Sequence, residues 1–207
     1  MTEETIVVVR RDRLPERAKF SGVRPGARPF LEALTRDWFP APRTRAEDCP
    51  EWKQPIPYIV VRRGRSIFTT VRSDDGLERR LRNKTSIGIG GHLRPLEGES
   101  FEDLLLRNAH RELNEELVIE PALTLEELAT RLQFLGVIND EGNEVGRCHL
   151  GFLYLLDLDP STRVSVRETD KLRGSFLKLQ DIPRGEATET WSQLALKLLE
   201  EPAPNAD

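Results

Sequence analysis

The chain has 207 residues, 38% hydrophobic and 32% charged, with a formal net charge of −4. That length supports one well-buried domain with additions and does not force two. The mildly acidic balance gives no general reason to bind a nucleic-acid polymer or an anionic membrane, and no run approaches the ~20 apolar residues that span a bilayer.

The two cysteines, Cys49 and Cys148, have neither metal-ligand nor disulfide-framework spacing. Ile6 to Val9 is too short an apolar run before Arg10-Arg11 to read as a signal peptide. These features lead us to expect a cytoplasmic protein with free thiols.

Residues 1–53 read as an N-terminal extension packed on the core, with a strand at Thr5 to Arg10, a helix from Pro29 to Trp38 and a Pro/Arg/Asp-rich linker from Pro40 to Pro50. Residues 54–200 read as the main domain. Strand signals at Tyr58 to Arg62 and Ser66 to Arg72 flank Arg63-Gly64-Arg65, which suits a hairpin. A polar loop from Ser73 to Lys84 leads into the apolar run Ser86 to Ile89, a Gly90-Gly91 turn, and a helix beginning near Ser100 with Asp103 placed for its cap.

Beyond that helix a short strand is predicted at Leu117 to Ile119, then a helix from Thr124 to Leu132 opened by a Thr124/Glu127 capping box. Strands at Gln133 to Ile138 and Arg147 to Asp157 flank the turn Asn139 to Glu144. A strand at Gly174 to Leu177, a helix from Glu186 to Glu200 and a flexible tail over 201–207 complete the order. Strands interleaved with helices predict an α/β (mixed α+β) fold whose mixed sheet is covered on both faces.

The chemistry concentrates in Arg111-Glu112-Leu113-Asn114-Glu115-Glu116. On a helix, residues three and four apart have Cβ atoms about 5–6 Å from each other, so Glu112 faces both Glu115 and Glu116. Three like charges this close repel. A divalent cation reverses the sign of that interaction, and hard carboxylate oxygens are what Mg²⁺ selects. Leu104, Leu105, Ala109, Leu113 and Leu117 form an apolar stripe that buries the opposite side of the helix. A Glu-rich helix is ordinarily a solvated face; the preceding glycine turn and the capped helix start are what lift this one above that.

The run resembles the Nudix box, which reads Gly, five residues, Glu, seven residues, then Arg-Glu-apolar-any-Glu-Glu-any-Gly-apolar. Arg111, Glu112, Leu113, Glu115, Glu116 and Ile119 are in register, while Val118 stands where the family has Gly. The first half is stretched. Either Glu99 or Asp103 takes the place of the first Glu, and Asp103 keeps the seven-residue spacing to Arg111. Gln54-Pro55-Ile56-Pro57-Tyr58 and Ser86 to His92 are also similar to a bacterial branch of predicted phosphoesterases.

The resemblance implies an α/β/α sandwich with the box as a loop, helix and loop at one sheet edge. It further implies hydrolysis of a phosphoanhydride in a nucleoside diphosphate linked to another group, or a similar small diphosphate, by water attack at phosphorus. Mg²⁺, with Mn²⁺ as substitute, would be held by Glu112, Glu115, Glu116 and the Gly91 main chain. Arg111 would organise the carboxylates and pair with Asp103 or Glu99. The general base stays open among a box glutamate, Glu141 and Glu144; His92 is a candidate phosphate contact. A homodimer follows family habit. Val118 and the long Gly91 to Arg111 spacing keep a rival open, a Nudix-fold nucleotide sensor or interaction module with little catalysis.

Overall fold

The structure is a computed structural model that describes residues 3–14, 16, 19–26, 37–72, 84–170 and 172–200. Its spine is β4 (Trp52–Arg63), paired in parallel along most of its length with β10 (His149–Leu158), from His149↔Gln54 to Leu158↔Arg63. Outward from β10 lie β9 (Leu132–Asn139) and then β2 (Gly22–Pro25), both antiparallel to their neighbours.

The remaining pairings of β4 divide its length. β5 (Ser66–Arg72) takes Arg62 and Arg63, β7 (Gly88–Gly90) takes Tyr58 to Val60, and β1 (Thr5–Arg10) takes Trp52 and Lys53. β3 (Trp38–Pro42) pairs with β1, while β6 (Thr85–Ser86) and β12 (Leu172–Lys178) pair with β5. A separate two-stranded ladder joins β8 (Leu117–Glu120) to β11 (Arg163–Val166).

Both faces of β4 are buried over residues 55–61, which is why that stretch runs apolar without alternation. Ile59 and Val61 pack with Ala109 and Leu113 of α2 (Phe101–Glu116). Tyr58 and Val60 pack on the other side with Ala195 and Leu196 of α5 (Thr190–Glu200). The result is the expected α/β/α layering around a mixed sheet. The β4–β5 hairpin turns at Gly64, whose φ of 59° lies in the left-handed region that glycine occupies at least cost.

Several expectations need correction. Trp38 opens β3 instead of ending a helix, and the rest of the predicted helix at 29–37 lies almost wholly outside the described residues. The supposed linker contains the end of β3 and the short helix α1 (Arg43–Glu47). β4 begins at Trp52 and so runs across position 53, with β1, β2 and β3 hydrogen-bonded into the same sheet system.

Arg147 and Cys148 belong to a second short helix, α4 (Glu144–Cys148), so β10 starts at His149. The Asn143 side chain accepts from Gly146 N at 2.8 Å and so begins that helix, which turn-like composition concealed. α5 starts at Thr190, after a single 3₁₀ turn at Gly185–Ala187. α3 (Leu125–Arg131) carries the predicted Thr124/Glu127 capping box. The polar loop at 73–83 and the tail at 201–207 lie outside the described residues. No described helix is long and apolar enough to cross a membrane.

Candidate metal centre

Helix α2 is set by its ends. At the N-terminus Ser100 Oγ accepts from Asp103 N at 3.1 Å and donates to the Asp103 carboxylate at 2.6 Å, and Glu102 and Asp103 stand where the helix dipole favours negative charge. The other end is electrostatically adverse. Glu112, Glu115 and Glu116 occupy the last turns, where the dipole disfavours anions, and the last turn has no basic residue of its own.

Compensation comes from outside that turn. Arg167 donates to Asn114 O at 2.8 Å and Leu117 O at 3.2 Å, and its N–H donates to Glu116 O at 2.8 Å. Arg111 Nη2 lies 2.6 Å from Glu112, and Arg111 Nη1 lies 2.9 Å from Glu115. Arg111 Nη2 also donates to His92 O at 2.8 Å and to Asn108 Oδ1 at 3.2 Å.

Glu112 is the buried member of the trio. Its carboxylate sits directly against Gly91, where any Cβ would overlap it, and Gly90 likewise has no room for a side chain beside Pro57 O. The Gly-Gly pair is therefore required by close approach, on one side to the sheet and on the other to the carboxylate. Burial pushes the Glu112 carboxyl above its ordinary value and Glu115 adds to this, against the pull of Arg111. Arg111, shared with Glu115, and the more distant Arg94 only partly offset this.

Glu115 is half exposed, and its second oxygen lies 3.8 Å from Arg94. Glu116 is half-buried. Among the described residues no three His, Cys, Asp or Glu side chains are gathered as a ligand shell, and Arg111 pairs with both Glu112 and Glu115. The donors suit a hard divalent cation: one buried carboxylate, its neighbours one turn on, and main chain at Gly91. Binding would exchange part of the guanidinium's hold for the ion.

Arg111 does not reach Asp103 or Glu99, contrary to expectation. Asp103 is engaged by the Ser100 cap and Glu99 pairs with Arg107. In their place stands Asn108, buried in the apolar stripe. Its Oδ1 accepts from Arg94 N at 3.0 Å as well as from Arg111, and its Nδ2 donates to Arg94 O and Leu104 O at 3.3 and 2.8 Å. A lone amide within an apolar stripe three residues before Arg111 was the available signal.

The other candidates are held elsewhere. The His92 ring is committed to Gln54 at 2.7 Å and His149 at 3.2 Å, and burial pulls its pKa down to about 4. Glu141 pairs with Arg11 and Lys53, each at 2.8 Å. Glu144 is exposed in the first turn of α4. Among the aromatic residues, Trp191 packs edge-on to Tyr58 at 5.6 Å and to His149 at 6.4 Å. A cavity of about 660 Å³ lies on the Lys53–Glu141 side and is lined by none of the three box glutamates.

No protein-family model matches the chain. Protein YmaB of Bacillus subtilis (strain 168) is 41% identical over 162 residues, 76% of each chain. The crystal structure of Tm1382, a protein assigned to the Nudix hydrolases, superimposes with a TM-score of 0.74 at 30% identity, covering 95% of this chain and 98% of that one. A MutT Nudix hydrolase from Burkholderia pseudomallei (TM-score 0.51, 20% identity, 71% of this chain and 98% of that one) shares the fold. So does a bifunctional NMN adenylyltransferase/ADP-ribose pyrophosphatase from Francisella tularensis, complexed with AMP and a manganese ion (TM-score 0.53, 15% identity, 71% of this chain and 41% of that one). With the fold shared over nearly the whole of Tm1382 and the box helix in place, the chain belongs to the Nudix hydrolase superfamily.

Proposed function

We propose that this protein is a divalent-cation-dependent pyrophosphohydrolase, using Mg²⁺ or Mn²⁺ to hydrolyse a nucleoside diphosphate linked to another group, or a related small diphosphate. One observation carries the reading: a buried Glu112 carboxylate lies against main chain at Gly91, one helical turn from Glu115 and Glu116, and shares its paired arginine with Glu115. A divalent ion held by these three carboxylates and the Gly91 carbonyl would neutralise the diphosphate, orient it and raise the fraction of bound water present as hydroxide.

The chain's own residues do the rest. Arg111, paired with Glu112 and Glu115 and tied to His92 O and Asn108, would hold the carboxylate rotamers around a bound ion. Ala109 and Leu113 pack on Ile59 and Val61 of β4, which seats the box helix against the sheet.

The sensor reading has one observation in its favour, since Arg111 already pairs with both Glu112 and Glu115. An assay separates the two. Purified protein is incubated with nucleoside triphosphates, dinucleoside polyphosphates, nucleotide sugars, ADP-ribose and NADH, with Mg²⁺ or with chelator. Metal-dependent release of a monophosphate that disappears in Glu115→Gln and Glu116→Gln supports the hydrolase. Binding without turnover across the panel rejects it.

A further inference from the structure

Beside the box, three polar side chains form a run of hydrogen bonds whose direction is set by its two ends. Gln54 donates through Nε2 to Ala46 O in α1 at 3.2 Å, so its Oε1 is the atom turned to His92 Nε2 at 2.7 Å. An amide oxygen only accepts, so His92 carries its proton on Nε2. At the far end His149 Nδ1 lies 2.6 Å from Val145 O in α4. A carbonyl also only accepts, so His149 is protonated on Nδ1 and its Nε2 is a lone pair. That lone pair faces His92 Nε2 at 3.2 Å, so one N–H is shared between Gln54 and His149. From Ala46 O to Val145 O each donor along the run meets an acceptor.

What this run clamps is main chain at the box. Gln54 and His149 are direct partners across the parallel β4–β10 pair, so the His92 ring is gripped from two adjacent strands. The His92 carbonyl accepts from Arg111, and the residue before it, Gly91, is the one lying against the Glu112 carboxylate. The N-terminal residues reach the box by a second route as well. Glu4 pairs with Arg43 at 2.9 Å and Arg94 at 3.3 Å, and Arg94 approaches Glu115 at 3.8 Å.

We propose that Gln54, His92 and His149 are positioning residues for the metal centre: their directed hydrogen bonds, anchored on α1 and α4, hold the Gly91–His92 backbone at the place where it meets Glu112 and Arg111. The N-terminal residues are thereby part of the centre's support. This inference rests on cation binding by the box as proposed above. Losing such outer contacts lowers metal affinity about 10- to 100-fold in metalloproteins generally.

The test uses the full chain, with Mn²⁺ titrated and free ion followed by electron paramagnetic resonance, and histidine tautomers read from ¹H–¹⁵N spectra of the metal-free protein. His92 should be protonated on Nε2 and His149 on Nδ1. Gln54→Leu should bind Mn²⁺ about 10-fold or more weakly. Should Gln54→Leu fail to fold, His149→Phe, which keeps a ring against Trp191, takes its place with the same expected weakening. Unchanged Mn²⁺ affinity in a folded variant, or His92 protonated on Nδ1, overturns the inference. If the unaltered protein binds no Mn²⁺, or binds it equally in Glu112→Gln, the hydrolase reading itself fails and takes the inference with it. That outcome is distinct from one confined to the Gln54 and His149 variants.

Discussion

Lys53 and Glu112 are both buried charges in the same layered core, and their surroundings differ in kind. Lys53 is fully buried (0% exposed), yet its ammonium meets Asn139 Oδ1 at 2.6 Å, Glu141 at 2.8 Å, His149 O at 3.2 Å and Gly146 O at 3.3 Å. Burial pulls it below its ordinary pKa against the pull of Glu141, and the oxygens around it satisfy every proton it carries. Glu112 has one shared arginine and a second carboxylate one turn away. The first pattern is a structural tie between β4 and the turn after β9. The second is a carboxylate only partly balanced by its surroundings, and the proposed metal centre rests on it.

Breaking the tie should have the largest effect. Lys53→Met leaves several buried oxygens without a donor and is expected to cost about 3 kcal/mol of stability, read as a lowered midpoint in urea. A variant as stable as the parent would show that the buried ammonium is not a tie. Glu112→Gln tests the other half of the contrast. It removes a like charge, so the metal-free protein should melt no lower than the parent, while kcat falls about 100-fold, the order seen when one charge-stabilising group is removed from a site. Equal losses of stability and activity would mean that Glu112 is structural.

Arg111→Ala should weaken Mg²⁺ dependence about 10-fold, because the carboxylates lose the contact that fixes their rotamers; an unchanged metal titration rejects the organising role. The smallest effect concerns pH. Burial pushes the Glu141 carboxyl up, but Lys53 and Arg11 outweigh it and hold the group below the ordinary 4.5. A depressed carboxylate contributes stability that is fully present above the unfolded value of 4.5 and is lost as pH falls through the lower folded value. Melting temperature recorded downward from about pH 6 should therefore fall less steeply in Glu141→Gln than in the parent. Parallel curves would remove Glu141 from the tie.

Local pattern made the box helix legible. Its cap at Ser100, its apolar stripe and its acidic turn are all written within one segment, as is the Thr124/Glu127 capping box of α3. The β4–β5 hairpin was legible for the same reason, since Gly64 lies between two apolar runs. β2 and β11 were missed because four-residue strands with mixed composition carry too few alternations to stand out. The short helix at Glu144–Cys148 was hidden inside what composition marks as a turn.

By itself the amino-acid sequence determined which residues share the acidic turn and that the chain folds as a layered α/β protein, because both depend on spacings of a few residues along one helix or strand. Only tertiary structure decided what those residues meet. Asn108, not Asp103 or Glu99, steadies Arg111; Gly91 receives the Glu112 carboxylate; Gln54 and His149 grip His92; Arg167 covers the adverse end of the helix. Most of these contacts join positions from about 20 to more than 50 residues apart, brought together by the pairing of β4 with β7 and β10. A long-range pairing of that kind is set by burial of whole faces against one another, and no short window of sequence contains it.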